Sequence, residues 1–235
     1  MLDILDKLPK IPNLTELAYL SLKQRMLDGS LLEGARLTEE SLASQLGISK
    51  SPVREALNRL ESEGLVCIQP RRGAFVRTFS IDETRNLFDL RILLEVHAVG
   101  IAKVTSILLA DLQQSIDRSR IYLEAGDKVA HVEEDIRFHS MIASSTGNSE
   151  FYSVFEKVQH KTILSRSKTY HLAPTHAPVG HQKIYDALKR GDREEAQQAM
   201  GDHIRFLRDS LLEFLHERGE GAMPREETLA VLGRG

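Results

Sequence analysis

The sequence predicts a mainly α chain in two parts, a small three-helix head finished by a β-hairpin and a larger all-helical bundle behind it. Three observations carry this prediction. Apolar residues recur at three- and four-residue spacing along nearly the whole chain. Two β-prone runs, LVCIQ and AFVRT, stand alone on either side of Pro70-Arg71-Arg72-Gly73. Beyond them every long segment reads as helix, interrupted at Gly126, Gly147-Asn148, Pro174/Pro178 and Gly191-Asp192.

In the head, residues 14–29 carry Leu14, Leu17, Ala18, Leu20, Leu22, Met26 and Leu27 at close to helical spacing, with Gly29 as the stop. Thr38 precedes Glu39 and Glu40, an N-cap with first-turn acids, and Leu42, Ala43 and Leu46 give a short second helix its apolar face before Gly47. Ser51 before Pro52 predicts the start of a third helix, because proline suits a first helical position and disfavours helical geometry just before it. Val53, Ala56, Leu57 and Leu60 form its buried stripe and Gly64 ends it. With the hairpin, this order of elements is a winged helix-turn-helix.

Ser80-Ile81-Asp82-Glu83 is a capping box that opens the bundle with little linker before it. Six helices are expected at about 82–103, 106–125, 127–146, 149–171, 177–190 and 193–217. The head is therefore assigned to residues 11–79, the bundle to 80–218, and 219–235, rich in Gly, Arg and Glu, to a flexible tail. A length of 235 residues suits two hydrophobic cores.

Composition narrows the function classes. Hydrophobic residues at 41% and charged residues at 28% fit neither a disordered nor a membrane protein. The first residues, MLDILDKLPKIPN, lack the pattern of a signal peptide, and no apolar stretch reaches bilayer length. The single cysteine, Cys67, excludes an internal disulfide framework and thiolate-rich zinc sites, so a cytoplasmic setting is expected. The net charge is −3, yet Leu46 to Phe79 holds six basic residues against three acids, a local excess that points to a confined anionic contact.

A helix presented after the tight Gly47-Ile48-Ser49 turn can enter the major groove of DNA with its N-terminal residues nearest the bases. Ser49, Lys50, Ser51 and Arg54 stand at that end. Arg54 can grip a guanine edge with both arms, whereas Lys50 and the serine hydroxyls suit phosphates or single base contacts. Arg71 and Arg72 at the hairpin tip can reach the neighbouring minor groove or phosphates, and Gly73 permits close backbone approach. The plain alternative for each cation is solvated surface.

The stretch LTEESLASQLGISKSPVREALNRLESEGLVCIQPRRGAFV closely resembles the signature of GntR-family regulators. The resemblance implies operator binding as a homodimer and places Lys50, Ser51 and Arg54 on the recognition helix and Arg71, Arg72 and Gly73 on the wing.

Nine histidines are too many to be ligands together, and position separates them. Asp135 and His139, four apart, share a face with Val132, Ile136, Ile142 and Ala143. His181 shares a face with Ile184, Tyr185 and Leu188, and His203 with Ala196, Ala199, Met200, Phe206 and Leu207. In an antiparallel hairpin about Gly191-Asp192, His181 and His203 lie roughly 15 and 18 Å from the turn, nearly level with each other. Three buried imidazoles and a carboxylate are costly unless paired, and one divalent cation satisfies all four. Three nitrogens and one oxygen suit zinc first and admit nickel, manganese, cobalt or iron. Core histidines bonded to water and carboxylates are the alternative, and His131, one turn before Asp135, is excluded from the set.

FDLRILLE, DIRFH, STGN and GHQKIYDALKRGD…AQQAMGDH resemble the FCD domain, the helical sensor of FadR-like GntR regulators. The resemblance implies Asp135, His139, His181 and His203 as metal ligands, with Gly180 standing where the family usually has glutamate. It also places Arg91 at an arginine that commonly faces the effector cavity, and Arg166 is a second cation within reach. A guanidinium beside a metal suits a small organic or sugar acid. Alternatively Arg91 pairs with Glu95 on its own helix. A repressor or activator under an acid effector is expected; a regulator sensing the metal itself, or a metal-dependent enzyme, are the rivals.

Overall fold

The computed structural model describes residues 13–217, and the expected tail at 219–235 lies outside them. The described residues form α1 (Leu14–Asp28), β1 (Arg36–Leu37), α2 (Glu39–Leu46), α3 (Lys50–Ser62), β2 (Val66–Gln69) and β3 (Gly73–Val76), then α4 (Ile81–Ile101), α5 (Ser106–Glu124), α6 (Lys128–Ser145), α7 (Ser149–Leu172), α8 (His176–Arg190) and α9 (Arg193–Glu217). The chain is mainly α, a winged helix-turn-helix followed by an all-helical bundle.

Local chemistry sets most boundaries. Asn13, Thr38, Ser80, Thr105, Asp127 and Asn148 each cap a helix by accepting an N–H with the side chain, and Ser80 and Glu83 complete a reciprocal capping box. Gly47 leaves α2 in the left-handed region at φ 66° and turns the chain into α3.

Three details depart from expectation. Helix α3 begins at Lys50 with Ser49 in the capping position, two residues earlier than Pro52 suggests. Pro52 sits inside the first turn, where its missing N–H has no intrahelical acceptor to lose. In α1 the inward face is Ala18, Tyr19, Leu22, Met26 and Leu27, whereas Leu14, Leu17 and Leu20 are about half exposed. The hairpin also gains a third strand: β1 pairs antiparallel with β3, giving the order β1-β3-β2 with Arg36 opposite Phe75 and Cys67 opposite Phe75.

The bundle core joins Phe88, Val99, Leu112, Ile116, Phe138, Ile142, Phe155, Ile184 and Ile204 among others, drawn from all six of its helices. The head core of Leu22, Met26, Val53, Leu57 and Leu60 extends into the bundle through Val132 of α6 and Ile163 and Leu164 of α7. Polar ties follow the same seam: Ser167 Oγ donates to the Leu27 carbonyl at 2.9 Å, Lys168 Nζ meets Glu33 Oε2 at 3.1 Å, and Lys128 Nζ meets the Asp28 carbonyl at 3.4 Å. The head thus rests on the two helices that carry Asp135 and Arg166.

Candidate functional site

The head exposes the cationic surface expected of it. Ser49, Lys50, Ser51 and Arg54 are all exposed along the leading end of α3, as are Arg71 and Arg72 on the wing. Asn58, four residues beyond Arg54 and exposed on the same side, extends the row; helical spacing alone could have found it. Arg54 is held by Glu39 of α2 through a two-armed pair at 2.8 and 2.7 Å, and Lys50 lies 3.4 Å from Glu40. These exposed pairs are weak and can be exchanged for stronger partners. The wing tip turns on Pro70 and Arg71, with Arg72 N–H closing on the Gln69 carbonyl at 3.0 Å. Arg71 has φ 64°, the one non-glycine positive φ among the described residues, so the turn holds its cation at some strain. Gly73 lies in the first rung of β3 opposite Gln69, beside Arg36 and Leu37, a ladder position and not the free tip.

Inside the bundle, Asp135, His139, His181 and His203 converge so that one ligand atom from each lies within 4.8 Å of the others, and all four are buried. His139 Nε2 and His181 Nε2 face each other at 3.2 Å, and Asp135 Oδ1 lies 3.2 Å from His181 Nε2 and 3.7 Å from His139 Nε2. Stacking fixes the rings of His181, 3.9 Å from Phe138 at 6° between planes, and of His203, 5.1 Å from His176 at 5°. Gly180 makes this approach of α8 and α9 possible, since a Cβ there would fall 2.4 Å from His203 Nδ1.

Burial, followed by neighbouring cationic and imidazole groups, pushes His181 and His203 well below the usual histidine range, so both present neutral rings. Burial also lowers His139, against the opposing pull of Glu95. Neither ring nitrogen of His203 has a hydrogen-bond partner. Buried ring nitrogens without a partner are unfavourable as they stand, and a divalent cation bound by nitrogen and carboxylate would satisfy one of those on His203 together with the other donors. The donor set therefore fits a metal.

The surrounding charges are ordered. Glu95 contacts His139 Nδ1, accepts from Arg91 Nε at 2.6 Å and accepts from Gln159 Nε2 at 3.1 Å. Arg91 Nη2 lies 3.3 Å from His139 Nε2, while its Nη1 is buried with no partner. Arg166 contacts Asp135 and Gln159 and donates to Thr162 Oγ1 at 3.2 Å. Arg91 pairs with Glu95, as one of its two sequence readings expects, and its guanidinium lies beside His139, but it does not border the small cavity next to Asp135. Gln159 escaped sequence reasoning because a lone glutamine on a helix carries no signal. His131 lies apart, bonded to the Ser119 carbonyl at 3.0 Å and edge-on to Tyr170. Beside Asp135 and Arg166 is a cavity of about 20 Å³, bounded by His131, Tyr170, Ala177 and Leu207.

Residues 14–76 match the bacterial regulatory proteins of the gntR family, and residues 86–206, half of the chain, match the FCD domain. The chain belongs to the GntR family, with an FCD domain. This regulator is 29% identical over 204 residues to an HTH-type transcriptional regulator from an unstable DNA locus of Streptomyces ambofaciens, covering 82% of this chain and 83% of that one. It is 24% identical to the HTH-type transcriptional repressor RspR of Escherichia coli K12, covering 86% and 90%. The solved structure of E. coli McbR/YncC superposes with a TM-score of 0.74 at 25% identity, covering 86% of the regulator and 99% of that chain. These relatives are named as transcriptional regulators and not as enzymes, and among the described residues no helix is long and apolar enough to cross a membrane.

Proposed function

We propose that this transcriptional regulator binds operator DNA as a homodimer and that a small organic or sugar acid, bound over a divalent metal on Asp135, His139, His181 and His203, changes its DNA affinity. One observation carries the reading: four buried donors converge beside two buried guanidinium groups, one of which, Arg91, keeps a free N–H. Arg91 and Arg166 balance Glu95 and Asp135, so a divalent cation adds an uncompensated charge that an acid would offset. Zinc is the first choice from the donors, with nickel, manganese, cobalt or iron admitted. When bound, the metal supplies an electrophilic site for a carboxylate oxygen.

The cavity beside Asp135 has room for about one water. An acid would enter only as its walls part, and those walls include Thr169 and Tyr170 of α7, next to the residues that tie the head. Effector binding would thereby shift the heads and their fit to two half-sites. The same narrowness favours a second reading, in which the metal itself is the signal.

Selecting bound duplexes from random DNA, then measuring affinity for the winner with chelator, with zinc, and with zinc plus a panel of small acids, separates the two. A response to acid only in the presence of zinc supports the first reading. A response to zinc alone favours the second. Chelator-treated protein that responds fully to an acid would exclude the metal.

A further inference from the structure

We propose that Glu95 is a positioning residue that fixes the tautomer and orientation of His139, so that Nε2 of that ring faces the other three ligands. The inference rests on the metal reading of the cluster and adds a role to a residue outside it. An imidazole has two nitrogens, and in its neutral form one carries the proton while the other keeps a lone pair. The Glu95 carboxylate lies against His139 Nδ1, which assigns the proton to Nδ1 and leaves Nε2 as the donor atom. It is Nε2 that lies 3.2 Å from His181 Nε2 and 3.7 Å from Asp135 Oδ1.

Glu95 is itself held rigidly. It is 2% exposed, and its other oxygen accepts from Arg91 Nε and from Gln159 Nε2. The remaining imidazoles of the set are oriented differently, His181 by stacking on Phe138 and His203 by stacking on His176. Stacking fixes a ring plane, whereas a carboxylate on one nitrogen also fixes which nitrogen is bare. Carboxylate partners of this kind commonly raise metal affinity by ten- to hundred-fold.

The competing role for Glu95 is charge balance against Arg91, and the test separates them in the full-length chain. Long-range proton–nitrogen spectra of the zinc-loaded protein, with the His139 signals identified through His139→Ala, should show a protonated Nδ1 and a metal-bound Nε2. Glu95→Gln should weaken zinc binding by about ten-fold or more, measured against a chromophoric chelator, and move the Nδ1 proton signal upfield. The pair Glu95→Met with Arg91→Met removes both charges together, and zinc binding should stay weak. Recovery of wild-type affinity in that pair would reduce Glu95 to a counter-ion, and a protonated Nε2 on His139 would overturn its role outright. Should the variants fail to fold, the same spectra of the chelated wild-type chain decide, because without zinc the proton stays on Nδ1 of His139 only if its protein partners hold it there. A wild-type chain that takes up no zinc sinks the metal reading itself, an outcome distinct from zinc bound through the other tautomer.

Discussion

At the scale of single residues, two positions turn geometry into measurable consequences. Arg54 holds Glu39 with both arms while standing exposed at the leading end of α3. Because that exposed pair is weak, a guanine edge offering two acceptors can replace it. Arg54→Ala should lower affinity for a selected duplex by roughly ten- to hundred-fold with little change on random DNA; equal losses on both would assign the arginine to a phosphate. Gly180 is the second position. Its missing side chain lets His203 approach, and a methyl group there would collide with a buried ring unable to swing away. Gly180→Ala should cost about 1–3 kcal/mol in chemical denaturation and weaken zinc binding alongside. Wild-type values for both would show that α8 and α9 can separate freely.

At the scale of elements, α7 links site and head. Arg166 contacts Asp135 on one side, and the next two residues, Ser167 and Lys168, bond Leu27 and Glu33 of the head. Neighbouring residues on a helix point about 100° apart, so one rigid helix can touch both partners without an intermediary. Ser167→Ala combined with Lys168→Ala should leave intrinsic DNA affinity within about two- to three-fold while shrinking the change that ligand produces, because coupling and binding are separate quantities. An unaltered ligand response in that double variant would move the link elsewhere. Much at this scale was legible in the sequence, since caps such as Ser80 and stops such as Gly191 are local signals and the bundle helices fall within two residues of expectation. Asp135, His139, His181 and His203 were legible too, through shared helix faces and equal distance from one turn. What escaped depends on contacts between distant segments. Strand β1 exists only because β3 offers an edge, Tyr19 and not Leu20 faces inward because of what α3 and α7 present, and Glu95 meets Gln159 only after α4 and α7 pack. The narrow cavity beside Asp135 is likewise a property of four helices together.

At the scale of the whole molecule, protons, metal and DNA act on one folded state and are therefore linked. His181 and His203 are depressed below the ordinary histidine value of 6.5 by burial first. Depressed groups bind fewer protons folded than unfolded, so their contribution is complete above pH 6.5 and is lost as pH falls below it. Stability of the chelated protein should drop by up to about 1.4 kcal/mol per pH unit for each of the two below that point. A flat urea midpoint between pH 7 and 5 would show that the rings protonate without cost. Linkage also binds the two ends of the molecule. If a divalent ion at the histidine cluster changes operator affinity by some factor, the operator must change affinity for that ion by the same factor, whatever the structural route. The head packs on α6 and α7 through Val132, Ile163 and Leu164, a buried seam that must shift or tighten for the factor to differ from one. Zinc titrations of the protein, with and without saturating selected duplex, should therefore return the ratio obtained from DNA titrations with and without zinc. Agreement at a ratio clearly above or below one establishes coupling through the fold; a ratio of one in both directions leaves the cluster as a structural brace and removes the metal from regulation.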